Sequence, residues 1–215
     1  MHHVDVLMEA EIYDANNRLA EHNAKHFKTH GVRAFDLLGA IGSGKTSLIE
    51  QIVPELKKRH LNSAAIAGDV YGDDDFQRII KIGIPAFNAN TGKECHLDAH
   101  LVHHALDHIC LDDVDIVFIE NVGNMVCPTD FKLGSEKRIV VISTTEGDDV
   151  VNKHPMMFRD CQIAIINKVD LAEAVGCNVE RMVNDIKRYN PEMIIIKTNL
   201  RTGEGISEIA DAILA

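Results

Sequence analysis

Residues 33–60 place a short apolar run, a glycine-rich turn and a long amphipathic stretch end to end, and few folds accommodate that succession. The turn reads GAIGSGKT, Gly39 to Thr46, with the spacing G-x-x-x-x-G-K-[ST]. Between a strand and a helix, such a turn is a phosphate-binding loop. Gly39, Gly42 and Gly44 free the backbone to point N–H groups at phosphate oxygens. Lys45 brings a point charge to the β and γ phosphates and Thr46 a hydroxyl for magnesium, with Ser43 and Ser47 beside them. The positive end of the following helix dipole faces the same place.

The rest of the chain alternates in the same manner. Strand-like runs at 33–38, 63–67, 84–88, 116–121, 138–144, 164–167 and 193–197 are separated by helix-like stretches at 45–60, 74–82, 96–111, 178–189 and 207–214. Runs such as IVVIS, IAIIN and MIIIK are continuously apolar and β-branched, as in strands covered on both faces. The alternation predicts an α/β fold, a mostly parallel sheet flanked by helices and joined by right-handed crossovers. In residues 1–31, Leu7, Ala10, Leu19, Ala20, Ala24 and Phe27 lie among charges and Gly31 follows as a C-cap. That stretch reads as an N-terminal helical extension of one or two helices, leaving 32–215 as the P-loop domain.

Charge and cysteine usage narrow the function classes. With 22 Lys+Arg against 33 Asp+Glu, the net charge of −11 repels nucleic-acid backbones and anionic membranes. No apolar run approaches the ~18 residues of a membrane span. The opening MHHVDVLMEAEIYD has neither the basic start nor the apolar centre of a signal peptide, which predicts a cytoplasmic protein. Five cysteines are few and odd in number for a disulfide framework, so the expectation is free thiols, some able to bind metal.

Two further segments complete a nucleotide site. Asn167-Lys168-Val169-Asp170 ends the run IAIIN and has the form of a guanine-reading N-K-x-D loop. Asp170 accepts two hydrogen bonds from guanine that adenine cannot offer, Lys168 lies along the base, and Asn167 ties loops together. Asn199, in the segment KTNL, stands where a base-supporting loop is expected. Glu120-Asn121-Val122-Gly123 follows the run DIVFI. Glu120 is placed to serve magnesium, and the N–H of Gly123 to sense the γ-phosphate. Asp69 ends another strand on the same crevice, where ligands of parallel sheets bind. It is placed to hold a magnesium water or orient the attacking water. Asp73, Asp74 and Asp75 compete for the magnesium role, with Asp75 foremost. Lys45, Asp69 and Glu120 are thus the residues expected to act in hydrolysis.

Cys95, His96 and Cys127 form a second constellation. Two thiolates and an imidazole suit zinc or nickel and not magnesium or calcium. A fourth ligand is water, His100, or a thiolate from a second subunit across a two-fold axis. His96, His100 and His104 fall at i, i+4 and i+8, on one face of the expected helix. His103 and His108 read as solvated residues, Cys110, Cys161 and Cys177 as small buried or loop residues, and His2 and His3 as chance neighbours at a terminus.

GAIGSGKTSLIE, the Cys95-His96-Leu97-Asp98-Ala99 run, ENVGNMVCP (Glu120 to Pro128) and NKVDL together resemble the HypB family of nickel-insertion GTPases. The resemblance spans about residues 33–213 and implies a P-loop NTPase fold of the class that includes the nitrogenase iron protein. It implies slow hydrolysis of GTP to GDP with Mg2+ and binding of Ni2+ or Zn2+ by Cys95, His96 and Cys127. It further implies a homodimer that acts with a partner nickel metallochaperone on a hydrogenase large-subunit precursor. Urease nickel-insertion GTPases share the architecture but not the paired C-H and V-C-P segments; a metal carrier whose nucleotide only controls dimerisation is the other alternative. Residues 1–30 hold no cysteine, so the tight N-terminal nickel motif of some family members is not expected. Three residues separate Gly123 from Cys127, so a movement of the phosphate-sensing segment is expected to displace a metal ligand.

Overall fold

The computed structural model describes residues 2–215, with side chains from residue 11 onward, so the expectations for the His2, His3, Leu7 and Ala10 side chains lie outside the described residues. In chain order the elements are α1 (His2–Thr29), β1 (Arg33–Leu38), α2 (Lys45–Lys58), β2 (Ser63–Asp69), α3 (Asp74–Lys81), β3 (Ala86–Asn90), α4 (Ala99–Leu106) and β4 (Ile116–Glu120). There follow β5 (Lys137–Ser143), α5 (Val150–Lys153), α6 (Pro155–Asp160), β6 (Ile163–Asn167), α7 (Val179–Tyr189), β7 (Ile194–Lys197) and α8 (Ile206–Leu214). The seven strands form one sheet in the order β3-β2-β4-β1-β5-β6-β7, and every pairing is parallel. No described helix is long and apolar enough to cross a membrane.

Both faces of the sheet are covered, which accounts for the unbroken apolar runs. On one face Leu48, Ile49, Ile52 and Leu56 of α2 meet Ile209 and Ile213 of α8 over Phe35, Phe118 and Ile165. On the other, α1 and α4 bury Phe27, Val102 and Leu106 against Ala64, Val117 and Ile119. Beside them Met157 and Phe158 of α6 and Met182 and Ile186 of α7 cover Val140, Ile142 and Ala164.

Three departures from the sequence reading have local causes. The third strand begins at Ala86, not 84, because Pro85 has no N–H for the ladder and contributes only its carbonyl, which accepts from Ala65 N at 3.0 Å. The helix expected over 96–111 is confined to Ala99–Leu106, since the Asp98 carboxylate caps it by accepting from Leu101 N at 2.8 Å. Cys95 and His96 are thereby left in the loop before α4, so His96 does not share a helical face with His100 and His104. The helices α5 and α6 were not anticipated; Pro155 separates them at its N1 position.

Candidate functional site

The carboxyl ends of β1, β2 and β4 meet where the connections diverge to either side of β1, the place where parallel sheets bind ligands. Gly44 precedes α2 in the left-handed region (φ 117°), with no side-chain cap, so the first N–H groups of the helix stay free for a ligand. A Cβ on Gly44 would lie 2.3 Å from Asn167 Nδ2, and that amide donates to Ser43 O at 2.8 Å. Asn167 Oδ1 accepts from Lys168 N and Leu200 N, so this one side chain joins its own loop and the segment at Leu200 to the phosphate loop at Ser43. Lys168 Nζ donates to Gly42 O at 2.7 Å. Lys168 itself lies at φ 60°, a strained position for a residue with a Cβ. Asp170 and Asn199 line the same cleft, of about 640 Å³, as Gly42, Lys45 and Thr46.

Lys45 is 6% exposed, and its Nζ donates to the carbonyls of Gly39 and Ala40 at 3.3 and 3.1 Å. Burial pulls its pKa down, against Glu120 and Asp75, which raise it. Thr46 Oγ1 lies 2.7 Å from Asp75 Oδ1 and 2.8 Å from Glu120 Oε1. One hydroxyl proton cannot serve two carboxylates. Glu120 is 2% exposed, its Oε2 has no hydrogen-bond partner, and burial pushes its carboxyl up to about 7 despite Lys45. Hard oxygen donors with an orphaned acceptor are what a divalent cation such as magnesium satisfies. Asp69 lines the cleft at the end of β2, its Oδ1 accepting from Val70 N at 2.6 Å. Of the three rivals Asp75 lines the cleft, whereas Asp73 accepts from Gln77 Nε2 at 3.1 Å.

Arg78 was passed over in the sequence. It donates to Ser47 Oγ at 3.0 Å, Glu50 Oε2 at 2.7 Å and Asp75 Oδ1 at 3.2 Å, at the rim of the phosphate end. Its signal was the i+3 spacing from Asp75 on an expected helix. Glu146 was also missed. Its carboxylate accepts from Ser143 N at 3.0 Å, forming a capping box after β5, and its Oε2 is buried without a partner. Burial pushes Glu146 up to about 7, against the Ser143 N–H, Lys168 and Lys45. A folded-state pKa above the unfolded value means that folding favours the protonated form. The stabilisation is complete below the unfolded pKa near 4.5 and is lost as pH rises through about 7. Between pH 5 and pH 8 the wild type is expected to lose stability relative to Glu146→Gln, by on the order of 1 kcal/mol after screening. Thermal denaturation of both proteins across that range checks it; parallel profiles would refute it.

The ligand atoms of Cys95, His96 and Cys127 all lie within 4.8 Å of one another. Cys95 and His96 come from the loop before α4, and Cys127 opens a 3₁₀ turn, Cys127–Thr129, stiffened by Pro128. The His96 ring stacks on Phe131 with centroids 3.9 Å apart, and its buried Nδ1 has no hydrogen-bond partner. Burial lowers the His96 pKa, which favours the neutral imidazole that a metal requires. The neighbouring Cys127 and burial raise the Cys95 thiol. His100, expected as a possible fourth ligand, lies exposed in the first turn of α4 and is not in this group.

A parallel sheet with a phosphate loop after its central strand defines a P-loop nucleotide-binding protein. Residues 34–197 match the family model "CobW/HypB/UreG, nucleotide-binding domain". The chain belongs to this family, in its HypB branch. It is 52% identical over 214 residues to a Methanocaldococcus jannaschii protein named "Probable hydrogenase maturation factor HypB", covering 99% of this chain and 96% of that one. The structure of hydrogenase maturation factor HypB from Archaeoglobus fulgidus is similar with a TM-score of 0.85 and 47% identity, over 92% of this chain and 96% of that one. That of HypB from Helicobacter pylori in complex with nickel matches with a TM-score of 0.88 and 29% identity, over 93% and 94%.

Proposed function

We propose that this protein is a GTP-hydrolysing hydrogenase maturation factor that takes up nickel as cargo and releases it toward a hydrogenase precursor under nucleotide control. The observation that carries the reading is the convergence of Cys127 with Cys95 and His96, on the segment that begins at the phosphate-sensing Gly123. The relatives named for hydrogenase maturation, and the similar structure that holds nickel, support it.

Thr46, Asp75 and Glu120, with Asp69 lining the same cleft, would hold magnesium, and the ion would supply charge neutralisation to the β and γ phosphates. Lys45 leaves its carbonyl partners for the phosphate oxygens, where its desolvated charge acts strongly. Asp69 orients the attacking water. Asp170 reads guanine, with Lys168 along the base and Asn199 supporting it. Arg78, at the rim of the cleft, is engaged by Glu50 and Asp75, which fits slow hydrolysis.

Cys95, His96 and Cys127 grip nickel, and zinc by the same donor chemistry. Ile41, 86% exposed, and Val126, 59% exposed, flank the two sites and suit a homodimer that shares them. A partner metallochaperone and the hydrogenase precursor are then the donor and acceptor of the cargo. Titration of nickel into the GDP-bound and GTP-analogue-bound protein tests the reading: the affinities are expected to differ by about fivefold or more, and equal affinities would reject it.

Base specificity is tested separately. Asp170→Asn replaces an acceptor pair by one acceptor and one donor. It is expected to weaken GTP binding by about a hundredfold or more. It should also favour xanthosine triphosphate, whose C2 carbonyl accepts from the new amide. Retained preference for GTP in a competition assay would remove Asp170 from this role.

A further inference from the structure

Asp36, in the middle of β1, belongs to neither site, yet its two hydrogen-bond partners, Asn121 and Arg138, carry bonds onward to the segments of both. It is fully buried and 3.3 Å from Nε of Arg138 on β5, whose side chain is 10% exposed. Asn121 Nδ2 donates to the other Asp36 oxygen at 3.2 Å. Three loop segments hang from this centre. Arg138 Nη1 donates to Thr129 O at 3.1 Å, and Nη2 donates to Pro128 O, so one guanidinium holds the turn that starts at Cys127. Asn121 Oδ1 accepts from Leu97 N at 3.0 Å, the residue after His96. It also accepts from Val122 N at 3.1 Å, the residue before Gly123.

We infer that Asp36, Asn121 and Arg138 are positioning residues that keep the Cys127 turn in register with Cys95 and His96 and carry movement of the phosphate-sensing segment to the metal group. The inference rests on the reading above that nucleotide and nickel binding are coupled. A buried ion pair seldom stabilises a fold beyond a well-packed apolar pair, whereas its fixed directions set register. The groups it orients are backbone N–H and C=O groups of irregular segments, whose placement no helix or strand dictates. Asn121 binds the metal loop and the sensor loop through a single oxygen atom, so displacement of one is felt by the other.

The test measures Ni2+ affinity with GDP and with a non-hydrolysable GTP analogue in the wild type, in Asp36→Asn/Arg138→Met and in Arg138→Lys. The double variant removes both charges and leaves no uncompensated one. It is expected to bind nickel about tenfold more weakly in both states. The ratio between states should fall to about twofold or less from the wild-type value of about fivefold or more. GTP affinity should stay near that of the wild type. Arg138→Lys keeps the charge but cannot reach two carbonyls as a fork, and an intermediate loss is expected. It also serves as the test if the double variant does not fold. A coupled wild type alongside a double variant with unchanged nickel affinity and ratio would overturn the inference and leave the functional reading intact. A wild type that binds nickel equally in both states would overturn the coupling itself. Unchanged variant affinity in that case would remove the positioning role as well.

Discussion

Lys45→Ala is expected to lower GTP turnover by about a thousandfold, the upper range for removing one preorganised charge from a transition state. The size of the effect follows from its surroundings. The Lys45 ammonium is buried beside Glu120 and Asp75, and burial alone would disfavour its charge. A cation held there, 6% exposed, is largely removed from screening water, so its attraction for developing phosphate charge is weakly screened. Loss of Lys45 also leaves Glu120 facing Asp75 without a counter-charge, and nucleotide affinity is expected to fall along with turnover. Phosphate release under saturating GTP, beside a far-ultraviolet spectrum to show an intact fold, measures this. Turnover within about tenfold of the wild type would mean that hydrolysis occurs by another arrangement.

Cys127→Ser is expected to weaken nickel binding by more than the ~10–100-fold typical of losing a mere outer contact to a ligand. A hydroxyl is a hard, protonated donor at neutral pH, and the remaining Cys95 and His96 cannot hold a borderline-soft ion by themselves. The variant should leave GTP hydrolysis without nickel nearly unchanged, because the Cys127 turn lies beyond Gly123. Absorption in the thiolate-to-nickel charge-transfer region follows the loss directly. In the wild type, nickel affinity should rise with pH, since the Cys95 thiol is held above its ordinary value by Cys127 and burial and must give up its proton to bind. A pH-independent affinity, or full nickel binding by Cys127→Ser, would remove these thiols from the cargo site.

Chain order carried much of the architecture. The bounds of β1 match the sequence reading at both ends, and α2 begins at the expected Lys45, because an apolar run and a glycine turn are local signals. The third strand shifted because a proline cannot enter a ladder from its N–H side, and the helix expected at 96 began later because Asp98 caps it. α5 and α6 escaped notice because each is too short for a helical period to show.

The site divides along the same line. Gly39 to Thr46 and Asn167 to Asp170 were legible because each motif is contiguous and its chemistry depends on neighbours in sequence. The Asp36–Asn121–Arg138 centre was not, since Asp36 meets Arg138 across a separation of 102 positions. Arg78 and Glu146 have partners three residues away, but it is the fold that carries Arg78 to Glu50 and buries the Glu146 carboxylate.

Which residue types are present, and in what order they reach the ends of the strands, is written along the chain and needs no folding to be read. Whether Cys127 comes near Cys95 and His96, and why Glu120 holds its proton to about 7, was decided by tertiary structure alone. The reason is that proximity and burial are properties of space. Neighbouring parallel strands deliver loops from distant parts of the chain to one edge, where exclusion of water sets the charge each group can carry.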